Sequence, residues 1–495
     1  MKELCAVIDG AEKKLKAGTD ETLLDVFRRY GIPVSAPCGG KGTCRKCTVI
    51  ADGREVLACR TPADEVNAVS LRTEENSRLL SQTVPAREHT ARKGTGAAVD
   101  LGTTSIAVKV YDLESGRELG SDARWNVQRA YGADVISRIQ YTLDHADGLQ
   151  HLQSILHEQI IDMVGMVSPE VQEMVIAGNT VMEHIAAGIS PGTIASAPFI
   201  PETRFLEDRN DTVGGIPAYY VPCVAGYVGG DIVAGLLSIG KVTGNALFLD
   251  IGTNGEMILI HDGGMLACAV ACGPAFEGGN ISCGMPGTAG AVQKAVMKDT
   301  LELDVIGSAA VKGICGSGLI DLIAVLVEQG VIDSFGRLLP PEEAPSGWQA
   351  YLEEDENGNG RFRIAGNVWL TAGDVRQVQL AKAAAAAGIE ILLDTAGLKP
   401  EEIGTVLLAG GFGCSLDPSS AEAIGMFPEG FAAKTRTVGD ASLSGAAMTL
   451  LKEDSRYRLQ EIVDQCRYLE LSGHPAFNRI YTEHMLFGEE EELWN

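Results

Sequence analysis

No apolar run in this chain of 495 residues is long enough to span a bilayer, and Met1-Lys2-Glu3-Leu4-Cys5 leads into a strand-like pattern rather than a charged-then-apolar leader. The expectation is a cytoplasmic, reduced protein whose 12 cysteines are thiols or ligands. Positive charge is scarce: 40 lysines and arginines stand against 66 aspartates and glutamates, a net charge of −26. Such a chain repels nucleic-acid phosphates and anionic membrane surfaces, so neither is an expected partner. Solubility is the plainest explanation of the charge. Only one C-x₂-C pair occurs, which counts against structural zinc, usually built from two. His145, His151, His157 and His184 show no metal spacing with carboxylates and are expected at the surface or in caps.

A hydrophobic share of 45% with 21% charged residues fits a soluble globular protein, and the length predicts two or three domains. The organising stretch is Cys38-Gly-Gly-Lys-Gly-Thr-Cys44-Arg-Lys-Cys47, answered by Cys59. Four thiolates spaced C-x₅-C-x₂-C-x₁₁-C can wrap a [2Fe–2S] cluster; the first gap is one residue longer than the plant-type run. Gly39, Gly40 and Gly42 let the loop fold over an inorganic core. Around it, residues 2–9 and 11–16 read as a hairpin about Asp9-Gly10, and Thr22–Tyr30 as a helix stopped by Gly31 and Pro33. Thr48–Cys59 reads as strand, Asp52-Gly53 turn, strand, with Cys59 arriving on the second strand. These elements predict a β-grasp ferredoxin-like domain over residues 1–72, with Cys5 in its core. Residues 73–96 read as a linker, with a short helix allowed through Leu79-Leu80.

An internal duplication follows. Asp100-Leu-Gly102-Thr103-Thr104 and Asp250-Ile-Gly252-Thr253-Asn254 each sit between two apolar strand patterns, and a third glycine loop, Gly410-Gly411-Phe-Gly413, follows another. Backbone N–H groups and threonine hydroxyls in such turns can grip a polyphosphate, which points to ATP. Asp100 and Asp250 would face Mg²⁺ and the attacking water. Gly410 and Gly411 would let backbone lie against an adenosine. Either turn alone would read as ordinary hairpin chemistry. Asp231, after Gly229-Gly230, reads either as a helix N-cap or as a magnesium-side carboxylate. Gly316 and Ser317 form a glycine turn opening a helix, a ready anion or ribose site. Cys268, Cys272 and Cys283 lack a fourth ligand, and Cys268 and Cys272 read as core. Val375–Leu393 reads as an Ala-rich helix packed on a sheet. The acidic runs Glu353–Glu356 and Glu489–Glu492 read as solvated faces or tails.

With these residues in hand, the second part resembles the acetate-and-sugar-kinase, heat-shock-chaperone and actin superfamily. That implies an α+β/α/β multidomain chain: the β-grasp domain, then a duplicated ribonuclease-H-like, actin-like ATPase over 97–495. Its halves would be about 97–243 and 244–452, with a C-terminal segment 453–495. The whole chain resembles the ATP-dependent reductive activators of corrinoid proteins, through the cysteine loop, DLGTTS, GNTVMEH, VAGYVGGD, DIGTNGE, GPAFEGG, GICGSGLID, AGGFG and YLELSGHPAFNRIY. The resemblance implies a corrinoid protein partner raised from Co(II) to Co(I), an external low-potential reductant and a homodimer. It differs from family members that carry an extra domain where this chain has only the linker. Two other functions fit the same residues: an ATP-binding redox sensor or electron carrier, and a small-molecule kinase fused to a ferredoxin domain.

Overall fold

The first hairpin forms as its alternation requires: β1 (Lys2–Ile8) and β2 (Ala11–Ala17) pair antiparallel, with Leu4, Ala6 and Ile8 buried. The computed structural model of the chain describes residues 2–8, 11–30, 32, 34, 36, 40, 42, 47–71, 89–132, 134–207, 209–355 and 358–488. The Asp9-Gly10 turn, Cys38, Cys44, the Leu79-Leu80 helix and Glu489–Glu492 lie outside the described residues.

In α1 (Leu23–Arg29) Thr22 and Asp25 form a reciprocal capping box, and Leu23, Leu24, Val26 and Phe27 turn inward. A hairpin follows, β3 (Thr48–Ala51) and β4 (Arg54–Leu57), then β5 (Ala68–Leu71). The sheet order β2-β1-β5-β3-β4, with β1 parallel to β5, is that of a β-grasp domain. Two expectations fail here. Cys5 is exposed, because burying Leu4, Ala6 and Ile8 sends the residues between them outward. Cys59 lies in a 3₁₀ turn, Ala58–Arg60, just beyond β4 rather than on it.

The described residues divide into two compact units: 2–71, 89–234 and 445–459 in one, 235–444 and 460–488 in the other. Beyond the β-grasp domain, the first unit holds β6 (Thr95–Leu101), β7 (Ser105–Asp112) and β8 (Glu118–Trp125), an antiparallel meander. Helices α2 (Val135–Asp144) and α3 (Gly148–Val167) precede β9 (Val171–Gly178) and α4 (Thr180–Ala186). Then come β10 (Thr212–Val213), β11 (Ile216–Tyr220) and α5 (Gly230–Ile239), whose second half belongs to the other unit. β9 runs parallel to β6, and β11 parallel to β9. Leu156, Ile160 and Met163 of α3 join Val99, Leu101, Ile106 and Val108 in one core. β6 opens at Thr95, two residues inside the stretch expected as a linker.

The second unit repeats the plan. β12 (Ala246–Ile251), β13 (Asn254–His261) and β14 (Gly264–Ala271) form the meander. A small sheet, β15 (Ala291–Met297), β16 (Leu301–Val305) and β17 (Gly313–Ile314), leads to α6 (Gly316–Glu328). A second small sheet is β18 (Leu352–Glu354), β19 (Gly360–Ala365) and β20 (Val368–Thr371), so Glu353 and Glu354 lie on a strand, with Arg361 paired to Glu353. The Ala-rich helix α7 (Ala372–Ala396) packs against β13 and β14, begun by a Thr371–Asp374 capping box and ended by left-handed Gly397. β21 (Thr405–Ala409) lies parallel to β12; the single turn α8 (Gly410–Gly413) and α9 (Pro418–Ala423) precede β22 (Thr435–Gly439), parallel to β21. Helices α10 (Ala441–Leu451) and α11 (Ser455–Gln465) are followed by β23 (Cys466–Tyr468), which joins this sheet beside β14, and by α12 (Phe477–Glu483). The residues expected as a C-terminal segment are thus built into both units. In each unit three antiparallel strands lead to two parallel ones, the ribonuclease-H-like plan twice. Among the described residues no helix is long and apolar enough to cross a membrane.

His184, expected at the surface or in a cap, is wholly buried on α4. Its Nδ1–H donates to the Thr180 carbonyl at 2.7 Å, and Nε2 accepts the Thr203 N–H at 3.4 Å, so the neutral ring is held from both sides. Burial lowers its pKa from 6.5 to about 4. Between those values the unfolded chain takes up a proton that the folded one refuses. The stability contribution is therefore complete above 6.5 and is lost as pH falls toward 4, about 3 kcal/mol in all. Melting temperatures at about pH 7 and about pH 5 should diverge in the wild type and diverge less in His184→Gln; equal pH slopes would refute this.

Candidate functional site

The β3–β4 hairpin pairs Thr48 with Leu57, which places Cys47 and Cys59 at the same end, and the Ala58 N–H donates to the Cys47 carbonyl at 2.9 Å. Both thiols are buried in the core of the β-grasp domain. Gly40 and Gly42 have φ of 95° and 74°, the left-handed region expected of a loop curling over a core, and a Cβ on Gly40 would come within 3.9 Å of the Cys59 Cβ. Two buried thiols at one end of a hairpin, Cys59 lying next to the Gly40 backbone, fit a four-cysteine cluster. Among the described residues no group of three or more His, Cys, Asp or Glu is arranged to hold another metal, and Cys268 and Cys272 are buried core residues.

In the first unit, β6 is buried along Ala97–Val99 and at Leu101, and Asp100 breaks the apolar run near the strand end. A carboxylate there costs desolvation unless it is hydrogen-bonded or reaches water, and Asp100 is only half-buried. The following loop is held by its carbonyls: the Asn126 Nδ2–H donates to Gly102 O (2.9 Å), the Asn126 N–H to Thr104 O (3.0 Å), and Arg138 to Thr103 O. These bonds to its carbonyls fix the loop's backbone, and a turn of this kind can offer N–H groups to an anion. Gly102 is obligatory, since a Cβ would lie 2.6 Å from Ser105 O. Asn179, which caps α4, also donates through Nδ2 to Thr103 Oγ1 at 2.8 Å. Gly229 packs so closely that its Cβ would sit 2.5 Å from Asn179 Cα. DLGTTS, GNTVMEH and VAGYVGGD thus meet in one place. Asp231 is the second residue of α5 rather than its cap. It is half-buried, and burial raises its carboxyl to about 6. Behind it, Glu183 is buried, with Oε1 accepting the Gly178 N–H, and burial followed by the Asp231 charge pushes its pKa well up.

In the second unit, β12 is likewise apolar except for Asp250. A Cβ on Gly410 would collide with Asp250 Oδ1, so this glycine, at φ 78°, makes room for the carboxylate; Gly411 faces open space. The Gly252 N–H donates to Asn254 O, closing the turn. Phe276 of GPAFEGG stacks on Phe412 of AGGFG, with ring centroids 4.8 Å apart, and Gly316 is pressed against the Phe276 carbonyl. Ser317 turns inward: it is buried and its hydroxyl donates to Gln293 O at 2.9 Å. Sequence reasoning passed over Asn126, Arg138, Glu183, Glu277 and the Phe276–Phe412 stack. Only the phenylalanines and Glu277 carried a signal, lying beside the glycine runs.

A family model described as the C-terminal domain of RACo, the ASKHA domain, matches residues 244–495, just over half of the chain. The chain belongs to the RACo family. The RACo middle region matches residues 95–241, and a 2Fe-2S iron-sulfur cluster binding domain matches 6–67. Corrinoid activation enzyme RamQ of Eubacterium limosum is 27% identical over 587 residues, covering 97% of this chain and 98% of its own. That span exceeds the matched part of these 495 residues by roughly a hundred, so RamQ carries sequence that this RACo-family chain lacks. The [Co(II) methylated amine-specific corrinoid protein] reductase of Methanosarcina barkeri is 22% identical over 78% of this chain and 76% of its own. A solved reductive activator for corrinoid, iron-sulfur protein superposes with a TM-score of 0.72 at 27% identity, covering 99% of this chain and all of that one. A [2Fe–2S] cluster and a bound nucleotide follow from the RACo-family domains.

Proposed function

We propose that this chain returns the cobalt of a corrinoid protein from Co(II) to Co(I) in an ATP-dependent reaction, the electron being supplied by its [2Fe–2S] cluster. The observation that carries this is one chain joining a cluster-binding domain to two sheets that each end in an Asp-x-Gly-Thr loop. Cys38, Cys44, Cys47 and Cys59 hold the cluster. The Gly102–Thr104 and Gly252–Asn254 loops bind nucleotide phosphates through N–H groups and hydroxyls. Gly410, Gly411, Gly316 and Ser317 form the backbone against which the nucleoside rests, Ser317 by bracing the α6 start. Asp100 and Asp231 serve Mg²⁺ and its waters, and Asp250 orients the hydrolytic water or takes its proton, in a transfer where positioning dominates. ATP drives the reduction only by binding one state of the protein more tightly than the other.

A cytoplasmic location, an external reductant that recharges the cluster and a homodimer belong to the same proposal, supported by family resemblance. The test mixes reduced protein with a Co(II) corrinoid protein and follows the visible spectrum. Co(I) should accumulate only with ATP. Equal reduction without nucleotide would defeat the proposal.

A further inference from the structure

The second phosphate loop already holds a carboxylate. Glu277 Oε1 accepts the Thr253 N–H at 3.1 Å and the Thr253 hydroxyl at 2.8 Å. A Cβ on Gly252 would lie 3.4 Å from the same oxygen, so the carboxylate sits directly over this turn. One anionic oxygen taking a loop N–H and a threonine hydroxyl is the pattern a phosphoryl oxygen would make. The first loop is built otherwise: Thr103 Oγ1 accepts from the neutral amide of Asn179. The turn therefore has no general need of a carboxylate. Glu277 is exposed and ends a 3₁₀ turn, Pro274–Glu277, bracketed by Gly273 and Gly278, both at φ 75°.

We propose that Glu277 stands in the place of a nucleotide phosphate on the Thr253 loop and is displaced when nucleotide binds, so that it sets nucleotide affinity. This rests on the reading that the Gly252–Asn254 loop holds phosphate. An incoming phosphate has to expel a like charge before it is seated, which restrains occupancy at low ATP.

Calorimetric titration of the holo protein with ADP, ATP and adenosine tests this. Glu277→Ala should bind ADP and ATP about tenfold more tightly than the wild type, with adenosine unchanged. Glu277→Gln should gain less, because its amide oxygen still accepts both donors without the charge. Thr253→Val should weaken ADP binding, and adding Glu277→Ala to it should gain less than in the wild-type background, since the hydroxyl contact is already gone and only the Thr253 N–H still holds the carboxylate. The proposal is overturned if Glu277→Ala binds ADP no tighter than the wild type, or if the gain is undiminished in the Thr253→Val background. Weakened binding in Thr253→Val with no gain in Glu277→Ala removes this inference and leaves the phosphate assignment standing. An unchanged ADP affinity in Thr253→Val removes both.

Discussion

ATP hydrolysis by an Asp250→Asn variant will fall by about 10²- to 10⁴-fold, the range for losing a positioned base. Nucleotide affinity will change little. Asp250 is the penultimate residue of a strand whose other residues are apolar, and Gly410 surrenders its side-chain volume to Oδ1. Asparagine has the same shape, so the cavity accepts it and what disappears is charge and basicity. A fall in kcat at constant Kd for ADP marks a contribution made in the transition state rather than in binding. Phosphate release in steady state, read beside the cluster's visible spectrum and the melting temperature, separates catalysis from folding. Turnover within about threefold of the wild type would remove Asp250 from the chemistry.

How much of this was legible depends on whether the information is local. The two Asp-x-Gly-Thr turns stood out because a strand buried on both faces is a near-continuous apolar run, and a carboxylate followed by glycine interrupts it in the same way twice. The capping boxes at Thr22 and Thr371, which the sequence reading left unnamed, were readable on the same grounds, two residues three positions apart carrying the whole interaction. Asn126 and Arg138 were not. They hold the Gly102–Thr104 carbonyls from 22 or more residues away, and nothing in their neighbourhood distinguishes them from helix-face polar residues. His184 fits equally on a solvated or a buried helix face, and tertiary packing decided for burial. Cys5 is different, since its outward direction follows from the alternation Leu4, Ala6, Ile8, which a stricter strand reading contains. Cys59 was displaced from strand to turn by a boundary of two residues, the least determinate feature of any sequence reading.

The cysteines carry the other large effect. Cys59→Ala should yield protein without the cluster's colour after anaerobic reconstitution, and its electron transfer to a Co(II) corrinoid protein should drop to the uncatalysed background. Cys59 and Cys47 are joined through the β3–β4 hairpin by the Ala58 N–H bond to the Cys47 carbonyl, so the chain delivers these two thiols as a pair. Removing one leaves three ligands for a cluster that takes four. The fold should survive, because deleting a single buried sulfur in the core that holds Leu24, Phe27 and Ala58 costs about 1–2 kcal/mol. ADP binding, assigned to residues of another domain, should persist, which separates loss of the electron from loss of the nucleotide. Cys5→Ala is the matched control: it removes an exposed thiol from the same sheet and should leave colour and reduction intact. A coloured, active Cys59→Ala protein would mean that the fourth ligand lies elsewhere, and with it the pairing of Cys47 and Cys59 as the base of the cluster site would fall.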